Sequence, residues 1–229
     1  MSKPVCAVIG IGPKNGEAFA REFCDKGYAL ALLSRTTDFS EKLAAKLDNA
    51  RAYACDAGDP ASIEAAFTNV ASDLGPVDVL IYNAGSGSWK TIEEISVEEF
   101  SSSFNVNALG AMVASQQVIP GMKEKGAGSI ILVGATASIR GVPFTAGFAP
   151  AKAAQRILAQ SMAKHLAPQG IHVSVMIIDG QIDDPGGEAS GEGAKLDPRD
   201  IAAAAYNLTT QPRSAWSFEI DLRPMNEKW

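Results

Sequence analysis

Short apolar runs of β character alternate along the chain with longer stretches whose apolar residues recur every three or four positions. That order restricts the fold to a parallel sheet wrapped by helices. The candidate strands are seven, at 5–9, 29–34, 52–55, 77–83, 129–133, 172–178 and 217–222, and the helical stretches between them are 16–26, 41–49, 60–74, 97–125, 150–167 and 197–208. Several strands are apolar almost throughout, as happens when helices cover both faces. Gly27 follows the first helix, Asp59-Pro60 opens the third and Gly75-Pro76 closes it, each a residue type suited to that end. Pro150 is tolerable only in the first turn of its helix. The prediction is α/β: a doubly wound parallel sheet of about seven strands flanked by helices, with no linker or repeat to divide residues 1–229. The one compositional break, rich in Gly, Asp and Glu over 183–193, marks residues 183–197 as a flexible substrate-loop candidate.

Charge excludes one large class of partner. Twenty Lys+Arg stand against twenty-six Asp+Glu, a formal charge of −6, so no global positive field exists to hold a phosphate backbone and no nucleic-acid partner is expected. Cys6, Cys24 and Cys55 form no CxxC pair and leave an odd thiol, which argues for a reducing compartment, and no metal site is expected. The N-terminus runs straight into a strand without the cationic and small-residue features of a signal peptide. No apolar run approaches the roughly 20 residues that cross a bilayer. A cytoplasmic protein without membrane contact is the expectation.

The first strand ends in Gly10-Ile11-Gly12-Pro13-Lys14-Asn15-Gly16 and a helix follows at once. Glycines in a strand-to-helix turn let main-chain N–H groups approach a pyrophosphate, and the helix N-terminus adds partial positive charge. The same glycines also serve a tight turn without a ligand. Lys14 either reaches a phosphate or points to solvent. In a dinucleotide-binding fold, the end of the second strand meets the adenosine ribose. Here it reads Ser34-Arg35, a hydroxyl and a guanidinium suited to a 2′-phosphate, so NADP is favoured over NAD. A solvated Arg closing a strand is the other reading of Arg35. Asp56, after the third strand, either accepts from the adenine amino group or initiates the following turn.

With this turn, Asn83-Ala84-Gly85 after the fourth strand, Asn107 within Asn105-Val106-Asn107, and Lys152 at the start of a long helix, the chain resembles the short-chain dehydrogenase/reductase family over nearly all its length. The resemblance implies a single-domain Rossmann fold, bound NAD or NADP, hydride transfer to or from an alcohol or carbonyl, and a homodimer or homotetramer. Carried over by position, it implies that Gly10, Gly12 and Gly16 form the phosphate loop and that Asn83, Ala84 and Gly85 support the central sheet. Asn107 becomes the proton-relay asparagine, and Lys152 the lysine that holds the nicotinamide ribose.

Against that pattern, the family tyrosine four residues before the lysine is Phe148 here, and the family serine falls on Ala135. The phosphate loop also departs, with Lys14 in place of its middle glycine, and the Pro-Gly after the sixth strand becomes Asp179-Gly180. A phenylalanine supplies no proton, and general acid catalysis is worth about 10²–10⁴ in rate. Lys152 therefore either clamps ribose hydroxyls or, with a pKa lowered by burial, donates a proton directly or through water. Thr136, beside the vacated serine position, enters the pocket only if the strand end shifts by one residue; otherwise it bonds nearby backbone. Trp89, on a loop after Asn83-Ala84-Gly85, either walls a substrate pocket with Phe148 or caps the core. His165 and His172 have no partner at ligand spacing. Two functions are compatible with these residues: an NADP-dependent oxidoreductase with a non-standard site acting on a small carbonyl or alcohol, and a catalytically silent NADP-binding sensor or partner subunit.

Overall fold

The computed structural model describes residues 3–184 and 193–228. In chain order the elements are β1 (Val5–Ile9), α1 (Asn15–Asp25), β2 (Ala29–Ser34), α2 (Asp38–Ala44), β3 (Ala50–Ala54), α3 (Pro60–Leu74), β4 (Val79–Tyr82), α4 (Val97–Phe104), α5 (Gly110–Lys125), β5 (Gly128–Ala135), α6 (Phe148–Leu166), β6 (Ile171–Ile178), α7 (Pro198–Thr209) and β7 (Glu219–Leu222). The seven strands form one sheet in the order β3-β2-β1-β4-β5-β6-β7, every pairing parallel. The chain winds outward from β1 to β3 and then returns to the other side of β1 as β4. The two helices that leave β1 and β4 therefore diverge and open a crevice at the carboxyl ends of those strands, where open parallel sheets bind ligands.

Alternation along β1 shows how the core is divided. Cys6 and Val8 face Phe19 and Phe23 of α1 and Ile201 and Leu208 of α7, whereas Val5, Ala7 and Ile9 face the opposite layer, with Ile63 and Val70 of α3 and Val118 of α5. Both faces of the strand are apolar because both are covered. Local chemistry sets several helix ends. The Asp59 side chain accepts from the N–H of Ala61 ahead of Pro60, and Ser96 and Glu99 make a reciprocal capping box that starts α4.

The predicted alternation of strands and helices stands, with changes at particular boundaries. The stretch 97–125 is not one helix: a π turn over Asn105–Leu109 separates α4 from α5. It points Asn107 inward, where Nδ2 donates to the carbonyls of Ser103 (2.8 Å) and Ser86 (2.5 Å). Gly110 begins α5 directly against Ala57 and Tyr82, where a Cβ would meet the Ala57 carbonyl oxygen at 2.1 Å. α6 opens at Phe148, two residues ahead of the predicted start, so Pro150 is its third residue and lies in the permitted first turn. Of the substrate-loop candidate at 183–197, residues 185–192 lie outside the described residues. Its base is closed by a parallel bridge between Ile182 and Leu196. Among the described residues no helix is long and apolar enough to cross a membrane.

Candidate functional site

The crevice between β1 and β4 is a cleft of about 440 Å³ whose walls include Gly10, Gly12, Ser34, Arg35, Asp56, Asn83, Ala84 and Gly85. The glycines have different tasks. Gly10 takes φ +92°, and a Cβ there would come within 2.5 Å of the Ala84 nitrogen, so it packs β1 against the chain leaving β4. Gly16 lets α1 begin against the loop, since a Cβ would meet the Gly10 carbonyl oxygen at 2.7 Å. At Gly12 nothing lies within 4 Å of the Cβ position, so this glycine leaves open room in the cleft. Asn83 locks the floor, its Nδ2 donating to the Gly10 carbonyl at 2.8 Å. Lys14, the N-cap of α1, provides no side-chain cap, so the helix meets the cleft with main-chain donors available to an anion.

Beyond the end of β2, Arg35 is exposed beside the cleft and, among the described residues, has no ion-pair partner. The Ser34 hydroxyl lies 2.9 Å from both the Thr36 carbonyl and the Ser40 hydroxyl, so it shapes the strand end as well as lining the cleft. Asp56 lines the cleft, and its Oδ1 accepts from the N–H of Gly58 at 2.8 Å, the turn considered for it. The Lys14 side chain, partly exposed, lies 3.6 Å from Asp184 and lines a neighbouring hollow with Glu17 and Arg199.

Asn83, Gly85 and Ser86 are shared with a second cavity of about 550 Å³, lined also by Trp89, Ala135, Thr136, Phe148, Lys152 and Asp179. Lys152 is only 4 % exposed. Its Nζ donates to the Val133 carbonyl at 2.8 Å and to Oε1 of Gln155 at 3.1 Å. An ammonium has three protons, which leaves one for the cavity. Burial, with no carboxylate bonded to it, lowers the Lys152 pKa to about 8. A Cβ on Gly85 would lie 3.6 Å from both this Nζ and the Oδ1 of Asn107. The Asn107 oxygen is buried without a hydrogen-bond partner. Lys152 and Asn107 are thus brought together, as their positions in the sequence implied.

Thr136 reaches the cavity just beyond the end of β5, at the start of a short 3₁₀ turn. Its hydroxyl donates to Oδ1 of Asp179 at 2.5 Å. With its only proton engaged, it presents an acceptor and not an acid to the cavity. Asp179 is itself held, with Oδ2 3.3 Å from Nη1 of Arg223 and 4.0 Å from Nη2 of Arg140. Trp89 and Phe148 face each other at 5.5 Å between ring centroids, so Trp89 is a wall and not a core cap. Two participants escape the sequence reading, Gln155 and Asp179. The first carries a usable signal, being three residues after Lys152 on one helix face; the second is a carboxylate closing an otherwise apolar strand.

A glycine turn at the topological switch of a seven-stranded parallel sheet, leading into a cavity with a buried lysine, is the arrangement of a doubly wound α/β fold, which binds ligands at the carboxyl ends of its strands. The short chain dehydrogenase family model matches residues 5–183, and the chain belongs to that family. An uncharacterized oxidoreductase of Staphylococcus aureus is 28% identical over 232 residues, covering 98% of this chain and 99% of the relative. Among solved structures, an alcohol dehydrogenase of the archaeon Thermococcus sibiricus, complexed with 5-hydroxy-NADP, superposes with a TM-score of 0.88 at 28% identity over 99% of both chains. A metagenomic short-chain oxidoreductase in complex with NADP gives 0.86 at 25% identity, again over 99% of both.

Proposed function

We propose that this chain is an NADP(H)-linked oxidoreductase that interconverts a carbonyl and its alcohol, with the ammonium of Lys152 moving the proton. The observation that carries the reading is Lys152 itself: a nearly buried cation with one uncommitted proton, in a cavity that shares three residues with the glycine cleft. The residues fit the cofactor. Open space at Gly12, an N-terminus of α1 without a side-chain cap and an unpaired guanidinium at Arg35 suit a pyrophosphate and a 2′-phosphate in turn. NADP in one solved neighbour and 5-hydroxy-NADP in another support the same choice.

The chemistry supplied by NADPH, once bound, is a hydride for the carbonyl carbon. The protein's part is the oxygen. Phe148 and Ala135 stand where the family resemblance places a tyrosine and a serine, so neither offers a proton, and the Thr136 hydroxyl hydrogen is engaged by the Asp179 carboxylate. Lys152 remains as the donor, and loss of its proton to the developing alkoxide is eased by the pKa of about 8 that burial imposes.

Calorimetry with NADPH and NADH, followed by NADPH oxidation against a panel of carbonyls, tests the proposal. Binding with turnover supports it; binding without turnover across the panel replaces it with a silent NADP-binding protein. Arg35→Ala is expected to weaken NADPH roughly tenfold to a hundredfold, the worth of a charge-assisted bond, and to leave NADH nearly unchanged. Equal losses for the two coenzymes would remove Arg35 from the 2′-phosphate.

A further inference from the structure

The substrate-end cavity is polar at one end and aromatic at the other. Lys152 and the Thr136–Asp179 pair form the polar end. Beside them two rings line the cavity, Phe148 packing on Trp89 at 5.5 Å and an interplanar angle of 38°, and Phe144, outside the lining, continues the row by packing on Trp89 at 6.0 Å and 40°. Trp89 is 63% exposed and Phe144 51%. Two large rings left this open at the mouth of a cavity are a surface that a ligand covers.

The row is also held in place from behind. A Cβ on Gly87 would come within 2.6–2.8 Å of Phe148 side-chain atoms, so the loop that bears Trp89 lies directly on the Phe148 ring.

Distance ties the two ends together. Lys152 Nζ lies 5.9 Å from the Phe148 ring centroid. An oxygen bonded to that ammonium has its carbon one bond further on, so a group attached to the carbonyl carbon lies within reach of the Phe148 ring. A hydroxylated substituent would lose water there without gaining a partner. A flat ring gains offset contacts with Phe148 and Trp89.

We infer that the site takes aryl carbonyls and the matching aryl alcohols, with the ring bonded directly to the reacting carbon. The inference rests on the reductase reading above. In the reaction, the carbonyl carbon takes a hydride, two electrons, from NADPH, which leaves as NADP. The oxygen takes the proton of Lys152, and water restores it to the amine.

The test compares acetophenone with cyclohexyl methyl ketone, which has the same carbon skeleton with a puckered ring, and with dihydroxyacetone, using NADPH and the whole protein. The expected kcat/KM for acetophenone exceeds the other two by at least tenfold, and Trp89→Ala brings the aryl-to-cyclohexyl ratio close to one. Because Trp89 is mostly exposed, that variant keeps its fold, which a thermal melt verifies. Turnover with equal or inverted preference, or a ratio untouched by Trp89→Ala, overturns the aryl assignment and leaves the reductase in place. If no carbonyl is reduced, the reductase reading fails and binding decides the rest. Saturation-transfer NMR on the protein with NADP then supports the aryl assignment if 1-phenylethanol binds in preference to 1-cyclohexylethanol, and overturns it otherwise.

Discussion

Lys152→Met is expected to lower kcat for carbonyl reduction by about 10²- to 10⁴-fold, the usual worth of a general acid, because Lys152 is the only cationic donor among the described residues that line the cavity. Methionine keeps the volume and apolar stem and removes the ammonium. The fold should not suffer. Lys152 is buried with a pKa moved from 10.5 to about 8, so holding it charged costs the native state roughly 3 kcal/mol relative to water. Removing the charge recovers part of that, offset by the two acceptors it leaves, the Val133 carbonyl and Gln155 Oε1. The variant should therefore melt at or above the wild-type temperature at pH 7. Turnover retained in a folded Lys152→Met protein would end the case for lysine as the donor, and a ribose clamp alone would then show as a raised Kd for NADPH.

The same residue predicts two opposite pH dependences. Reduction needs the ammonium, so its kcat should fall as pH rises through about 8, whereas alcohol oxidation needs the free amine and should rise through that pH. Stability moves with the second. Between about 8 and 10.5 the unfolded chain holds a proton that the native chain has released, so this group makes unfolding harder as pH increases across that window. The slope should vanish in Lys152→Met. A reduction rate that is flat from pH 7 to 9 would contradict the assignment.

What the sequence could and could not tell follows from the range of the interactions. Strands and helices were legible because periodicity is local, and their parallel order followed from alternation. The π turn at Asn105–Leu109 was not legible, since what holds it includes Asn107 bonding to Ser86, twenty-one residues away. In the site, Gly10, Gly12 and Gly16 could be placed from their position in a strand-to-helix turn, and the Asn83 segment from the family resemblance. The state of each polar group could not. Residue type left Thr136 between the pocket and nearby backbone, and only the approach of β6 to β5 shows that its hydroxyl donates to Asp179. Residue type likewise left Lys14 between a phosphate and solvent, and the pairing with Asp184, far away in sequence, was not legible. Burial of Lys152, which carries the proposed chemistry, depends on Val133 and Gln155 coming together around it and has no signature in residue type.

Gly12 and Gly10 should fail in opposite ways, and the contrast tests the cleft more sharply than either variant alone. At Gly10 a side chain meets both a positive φ and backbone atoms of Asn83 and Ala84 at 2.5–2.9 Å. Gly10→Ala should then cost roughly 2–4 kcal/mol in strain and overpacking, a fall in Tm of roughly 5–15 °C. At Gly12 nothing lies within 4 Å of the Cβ position, so Gly12→Val should melt within about 2 °C of wild type, as a substitution free of core, cap or strain effects does. Its side chain enters the cleft where main-chain amides must approach a pyrophosphate, and NADPH affinity should drop by about a hundredfold or more. A stable Gly12→Val protein with undiminished affinity would mean that the coenzyme does not pass over this loop. A Gly10→Ala protein of native stability would mean that β1 and the Asn83 segment are further apart than the 2.5 Å contact requires.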